Sequence, residues 1–142
     1  MAITVKKIVL WRAEVDNQPG ALARVLEPPA MAGVDLNVVM GYRHASPAGQ
    51  AAIEIFPIAG RKAMAAASAA GFRAATIPAL LVEGDNKPGI GLRVAQAIGA
   101  GGINMAFFMA QVIGRKFAAV IGLETEDDAR KAIPLLRRAA KA

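Results

Sequence analysis

Two short stretches of this 142-residue sequence gather hydrogen-bonding side chains next to glycine. Asp16-Asn17-Gln18-Pro19-Gly20 returns in the second half as Asp85-Asn86-Lys87-Pro88-Gly89. An asparagine can donate and accept, an aspartate accepts, and a glycine lets another molecule approach the backbone because it has no Cβ. The same residues are also turn and capping chemistry, which a duplicated fold needs twice. Ligand contact and turn-making are both open readings of these loops. Other sources of chemistry are few. Without cysteine, thiol catalysis, disulfides, iron–sulfur clusters and Cys-ligated zinc are excluded. His44 is the sole histidine, so there is no His cluster for a metal and no paired relay. No Ser/His/Asp or Cys/His set, HExxH helix or P-loop is found. Gly99-Ala100-Gly101-Gly102 follows a predicted helix rather than preceding one, unlike a dinucleotide fingerprint. The expectation is a protein that is not an enzyme, with no metal and no cofactor.

The elements that must carry the two loops are themselves repeated. At the same offset Arg24-Val25 returns as Arg93-Val94, Gly33 as Gly102, Met40 as Met109 and Arg61-Lys62-Ala63 as Arg130-Lys131-Ala132. In the first half, Ile3 to Glu14 is rich in β-branched residues and predicts one strand. Asp or Asn of the loop is the expected N-cap of a helix from Ala21, carried by Leu22, Val25 and Leu26. Pro28-Pro29 should end or kink that helix after Leu26 or Glu27. Strands are predicted at Leu36–Tyr42 and Gln50–Ile58, around a loop from His44 to Gly49, and then a helix at Arg61–Ala70. The second half predicts a strand at Ala79–Glu83, a helix at Ile90–Ala97, a hairpin of Ile103–Val112 and Phe117–Leu123, and a last helix capped by Thr125 that runs past Pro134. Phe72–Asp85 supplies one long strand, or two meeting at Pro78. The second half lacks a clear final strand, so its sheet is expected to be incomplete or completed by another chain.

Composition narrows the partners. Seventeen Lys+Arg against eleven Asp+Glu give a net charge of +6, but the cations are spread along the chain. Arg137, Arg138 and Lys141 alone cluster, at a helix end where cations suit the dipole. Aromatic residues are 5% of the chain, too few for nucleic-acid stacking platforms, so no nucleic acid is expected. Val94–Gly114 is uncharged, but Gln96, Asn104, Gln111 and three glycines break it, so it reads as helix, turn and buried strand rather than a membrane span. No apolar run of signal-peptide length opens the chain. A soluble, cytoplasmic protein with no membrane partner is expected. Trp11, Phe107 and Phe108 read as packing, and His44, beside Ser46 and Pro47, as polar surface.

Two β-α-β-β-α-β units make a ferredoxin-like α+β sandwich. The pattern resembles the ACT domain, a small regulatory module that binds amino acids, in two tandem copies at residues 1–77 and 78–142. The resemblance rests on the two Asp-Asn-x-Pro-Gly loops, each followed after one helix by a second motif: Gly33-Val34-Asp35-Leu36 and Gly102-Ile103-Asn104-Met105. It implies a regulatory protein with no attached catalytic domain, acting as a homodimer on an unknown partner and holding an amino acid between modules. The free N–H groups of a helix start would take the ligand's carboxylate, and Asp16 or Asp85 its ammonium. The implied ligand contacts are Asp16, Asn17, Gln18, Pro19, Gly20, Ala21, Leu22, Asp35 and Leu36 in the first copy. In the second they are Asp85, Asn86, Lys87, Pro88, Gly89, Ile90, Gly91, Asn104 and Met105. Asn104 stands where the first copy has Asp35, and Gly91 where it has Leu22, so the two sites need not be equal. The alternative is a non-catalytic interaction or oligomerisation protein with degenerate ligand sites. The related topology of RNA-recognition modules is set aside for want of their aromatic K/R-G-F/Y segment.

Overall fold

A computed structural model describes residues 3–45 and 49–140, so Ser46 and Pro47 lie outside the described residues. In chain order the elements are β1 (Ile3–Ile8), β2 (Trp11–Asp16), α1 (Ala21–Met31), β3 (Val38–Arg43), β4 (Gln50–Phe56) and α2 (Arg61–Ala69). They continue with β5 (Arg73–Ala74), β6 (Ala79–Asp85), α3 (Ile90–Ala100), β7 (Met105–Ile113), β8 (Lys116–Leu123) and α4 (Glu126–Ala139). The chain divides into two compact units, one of Val9–Ala75 and the other of everything from Thr76 onward together with β1.

The Val9–Ala75 unit is a complete ferredoxin-like βαββαβ fold. Its antiparallel sheet has the order β3-β4-β2-β5. Alternate residues of its strands, Ala13, Ile53 and Ile55, bury one sheet face in a core with Val25 of α1 and Ala63 and Ala67 of α2. The other unit has the matching order β1-β6-β8-β7. There Leu80, Val82, Phe117, Ala119 and Ile121 meet Ile90, Val94 and Ile98 of α3 and Ala129, Ala132 and Leu136 of α4. The helix residues recur every three or four positions, the spacing that puts side chains on one helical face.

The strand missing from the end of the second repeat is found at the start of the chain. β1 lies antiparallel to β6, from Ile3 opposite Gly84 to Ile8 opposite Ala79. The expectation of an open sheet edge, or one closed by another chain, is corrected accordingly. The expected single strand from Ile3 to Glu14 is two strands: Ile8 ends in one sheet and Trp11 begins in the other. Strand propensity runs through both segments, but the partner that each one meets is a long-range matter that propensity does not encode.

Helix ends differ from expectation for a local reason. α1 continues through Pro28 and Pro29 instead of stopping before them. A proline has helical φ, and although it lacks a donor and crowds the carbonyl four residues back, its own carbonyl still accepts: Ala32 N–H donates to Pro28 O at 3.1 Å and Val34 N–H to Pro29 O at 3.1 Å. Gly33, at φ 80°, is what ends the helix. Its N–H donates to Ala30 O at 3.0 Å, completing with Val34 the double bond pattern of a Schellman cap. The second repeat does the same with Gly102 to Gly99 O and Ile103 to Ile98 O, carrying α3 to Ala100. The glycine and aliphatic residue of each second motif are thus explained by helix termination. Thr125 caps α4 as expected, its Oγ1 accepting from Asp128 N–H at 3.0 Å.

Phe107 and Gly122 are cross-strand partners, and the aromatic ring lies over the glycine. A Cβ on Gly122 would stand 2.2 Å from Phe107 Cε2. Gly122→Ala is expected to lower stability by about 1–3 kcal/mol through this overpacking. Urea unfolding measures the loss, and adding Phe107→Leu should recover part of it. No helix among the described residues is long and apolar enough to cross a membrane.

Candidate functional site

The two repeated loops have one backbone conformation. Ala21 N–H donates to Gln18 O at 3.1 Å across Pro19 and Gly20, and Ile90 N–H to Lys87 O at 3.0 Å across Pro88 and Gly89. Gly20 has φ 86° and ψ −7°, and Gly89 φ 87° and ψ 1°. Proline followed by a left-handed glycine is the arrangement of a type II turn. Gly20 and Gly89 are also the N-cap residues, with no side-chain cap at either helix, so the expected Asp or Asn cap is corrected. The aspartates face across the sheet instead. Gln50 Nε2 donates to Asp16 Oδ1 at 2.7 Å, and Lys116 Nζ to Asp85 Oδ1 at 2.5 Å, each pair in direct cross-strand register. The hydrogen bond and charge of Lys116 hold the Asp85 carboxyl below its ordinary range. The backbone of Asn17 donates to Gly49 O and that of Asn86 to Arg115 O, both at 2.8 Å, tying each loop to the neighbouring hairpin. Turn-making therefore accounts for the Pro and Gly of both motifs and cross-strand pairing for the Asp, which leaves the side chains of Asn17 and Gln18 to other use.

In the Val9–Ala75 unit the first loop borders a cavity of about 550 Å³. Asn17, Gln18, Gly20, Ala21 and Leu22, all implied by the resemblance as ligand contacts, line it together with Ala23. Asp16, Pro19, Asp35 and Leu36 are not among its lining residues. The facing wall is Gly41–Arg43 of β3 and Ala51–Ile53 of β4, which the sequence reading did not select. In register, Gly41 pairs with Ile53 and Arg43 with Ala51. The wall is a product of strand pairing, and its one sequence signal is a glycine in a strand, the kind of position that leaves room for another molecule. A Cβ on Gly41 would meet nothing within 4 Å. A second cavity of about 370 Å³ shares Asn17 and Arg43 with the first and adds His44, Ala45 and Gly49.

In the second repeat Asn86, Lys87, Pro88 and Gly89 are exposed, as Asn17, Gln18, Pro19 and Gly20 are in the first, and Ile90 is buried in the core beside a gap of about 10 Å³. Asn104 Nδ2 donates to Glu124 Oε1 at 2.7 Å, and Met105 packs against the core.

A chain of polar side chains crosses the sheet of the Val9–Ala75 unit. His44 Nε2 meets Glu14 Oε2 at 2.6 Å, Arg12 Nε donates to Glu14 Oε1 at 2.8 Å, Arg12 Nη1 donates to Tyr42 Oη at 3.0 Å, and Tyr42 Oη donates to Glu54 Oε2 at 3.0 Å. His44 is thus partnered rather than simply exposed. Glu54 is 1% exposed, and its Oε1 has no hydrogen-bond partner. The hydrogen bond with His44, then that with Arg12, holds the Glu14 carboxyl below its ordinary range. Burial, then Glu54, pushes the Tyr42 phenol up. Burial disfavours the Arg12 cation, but Glu14, Tyr42 and Glu54 together outweigh it and raise the guanidinium further. Among the described residues no three Asp, Glu or His side chains form a metal-binding group.

Two four-stranded antiparallel sheets with four helices, in matching strand order, define a tandem ACT-like fold of ferredoxin type. No protein-family model matches the chain, and no curated protein matches it either. Solved structures do. A protein of Bacteroides thetaiotaomicron matches with TM-score 0.75 and 16% identity, over 92% of this chain and 88% of that one. The regulatory subunit of aspartate kinase from Thermus thermophilus, in a ligand-free form, matches with TM-score 0.64 and 17% identity, over 96% and 95%. Aspartokinase III of E. coli, in complex with aspartate and ADP, matches with TM-score 0.60 and 12% identity, over 99% of this chain and 33% of that one. What this chain shares with them is the fold.

Proposed function

We propose that this chain is a regulatory small-molecule-binding protein that takes an amino acid at the first Asp-Asn-x-Pro-Gly loop. The observation carrying this reading is the cavity of about 550 Å³, where five of the nine contacts implied for the first copy (Asn17, Gln18, Gly20, Ala21 and Leu22) line one space. Its size suits a small molecule. The similarity in fold to an aspartate kinase regulatory subunit, and to an aspartokinase crystallised with aspartate, supports an amino acid as the effector. In this reading the protein binds without altering its ligand and works as a homodimer, each of its two compact units serving as one module. Occupancy favours the subunit arrangement for which the ligand has higher affinity. Gly91 and Asn104 make the second site the weaker of the two.

Thermal unfolding of the full chain against each of the twenty amino acids tests the proposal. A ligand at about 100 times its Kd adds roughly 2.7 kcal/mol. For a chain of this size that raises Tm by about 5–10 °C. One or a few amino acids should give the shift, and Asn17→Ala should remove most of it. No shift with any amino acid would replace this reading with that of an interaction protein whose sites are degenerate.

A further inference from the structure

Resting on the reading above, we infer that the cavity recognises an aliphatic carboxylate and does not require the ammonium group of an amino acid. The charges of the lining set the terms. Its side chains are mostly small and apolar: Val15, Leu22, Ala51 and Ile53 among them. Among the described residues Arg43 is the one cation that lines it and no carboxylate does, and Arg43 lines the adjoining cavity as well. The N–H groups of Leu22 and Ala23, in the first turn of α1, have no acceptor within the helix and add to the anion-attracting side.

An ammonium pairs best with a carboxylate, and none lines this space among the described residues. The nearby acids Asp16, Glu14 and Glu54 are not among the lining residues and take part in other hydrogen bonds. Asp16 accepts from Gln50, Glu14 from Arg12 and His44, and Glu54 from Tyr42. The Tyr42 hydroxyl is itself engaged by Arg12 and Glu54. Only the amide oxygens of Asn17 and Gln18 remain among the lining side chains to receive an ammonium. The 2-oxo acid and the plain carboxylic acid that correspond to an aliphatic amino acid keep every interaction that this lining favours and lose only the group it does not pair.

Calorimetric titration of the full chain with L-leucine, 4-methyl-2-oxopentanoate, 4-methylpentanoate and 3-methylbutan-1-amine tests this inference. The two acids should bind at least as tightly as leucine, and the amine should not bind. Arg43→Gln should weaken both acids by about tenfold or more, the loss of a charge-assisted contact. Gly41→Val adds a side chain where a Cβ would meet nothing within 4 Å, so it should narrow the space and weaken acid binding while leaving Tm unchanged or higher. Binding of leucine or any other amino acid, with both acids failing, would overturn the inference and leave the amino-acid reading standing. Acid binding that survives Gly41→Val and Arg43→Gln unchanged would also overturn it, because the ligand would lie elsewhere. Failure of every acid and every amino acid would overturn both.

Discussion

A chain lacking residues 1–8 is expected to lose the native structure of the unit that begins at Thr76 while keeping that of Val9–Ala75. β1 supplies the strand beside β6, with six residues in register. Val5 and Ile8 are 5% and 4% exposed, and Val5 belongs to the core formed with α3 and α4. Burying each is worth about 1.5–3 kcal/mol, so their removal takes roughly 3–6 kcal/mol from a domain whose whole stability is of order 5–15 kcal/mol. The ladder partners of β6 are lost too, and Leu81 and Val82 then border an open edge, which favours aggregation. Arg137 Nη2 also loses its contact with Val5 O, and Glu126 its ion pair with Lys7. Amide hydrogen exchange resolves the outcome by segment: β6, β7 and β8 should exchange freely, and β2 and β4 should stay protected. Full protection of β6 in the shortened chain would show that β1 contributes little.

Arg12→Met should be the most damaging single change in the polar chain that crosses the β2-β4-β3 sheet. Arg12 stands opposite Glu54 in register, and it links Glu14 to Tyr42. Its side chain is 26% exposed, whereas that of Glu14 is 53% exposed, so the Arg12–Glu14 pair alone is worth less than about 1 kcal/mol. Most of the loss comes from the buried side. Tyr42 loses its donor partner, and Glu54, already short of one hydrogen bond, loses the nearby positive charge. A total of about 2–3 kcal/mol is expected. Tyr42→Phe should cost about 1–3 kcal/mol, and much less when Glu54 is replaced by Leu, because then no buried carboxylate is left without its donor.

The pH dependence has a definite sign. Glu14 has a folded pKa below its unfolded one, so its contribution is fully present above the ordinary carboxylate value and is lost as pH falls through the folded value. The stability gap between the wild type and Arg12→Met should therefore hold steady near neutral pH and narrow through the acidic range below about pH 4.3. Urea unfolding at a series of pH values measures it. A gap that widens as pH falls would contradict the assigned pairing.

The sequence carried more of the fold than of the site, and the reasons are local against long-range. The duplicated Asp-Asn-x-Pro-Gly and Gly-aliphatic motifs encode a type II turn and a Schellman cap, structures decided within six or seven residues of each glycine, and both repeats fold as one pattern. Pairing partners are not local. Nothing within Ile3–Glu14 states that its first part joins β6 and its second part β4. The site divides in the same way. Loop residues Asn17 and Gln18 could be singled out by the repeat, but Gly41 and Arg43 reach them only through the register of β3 on β4, and their counterparts Ala110 and Val112 differ, so the repeat gave no signal. The link from His44 to Glu14 spans thirty positions and was invisible for the same reason.

The placement of β1 also sets an order of events during synthesis. The unit from Val9 to Ala75 is contiguous, so its four strands are all available once residue 75 has left the ribosome. β1 emerges before any of them, yet Lys6 pairs with Leu81, and β6 needs β8 at its other edge. The first strand must therefore wait, unpaired, while a finished unit assembles directly behind it. Nascent chains of this protein pass through a stage in which a folded unit carries a short strand with Val5 and Ile8 uncovered, and the sheet that receives that strand is closed by residues made before any of its other strands.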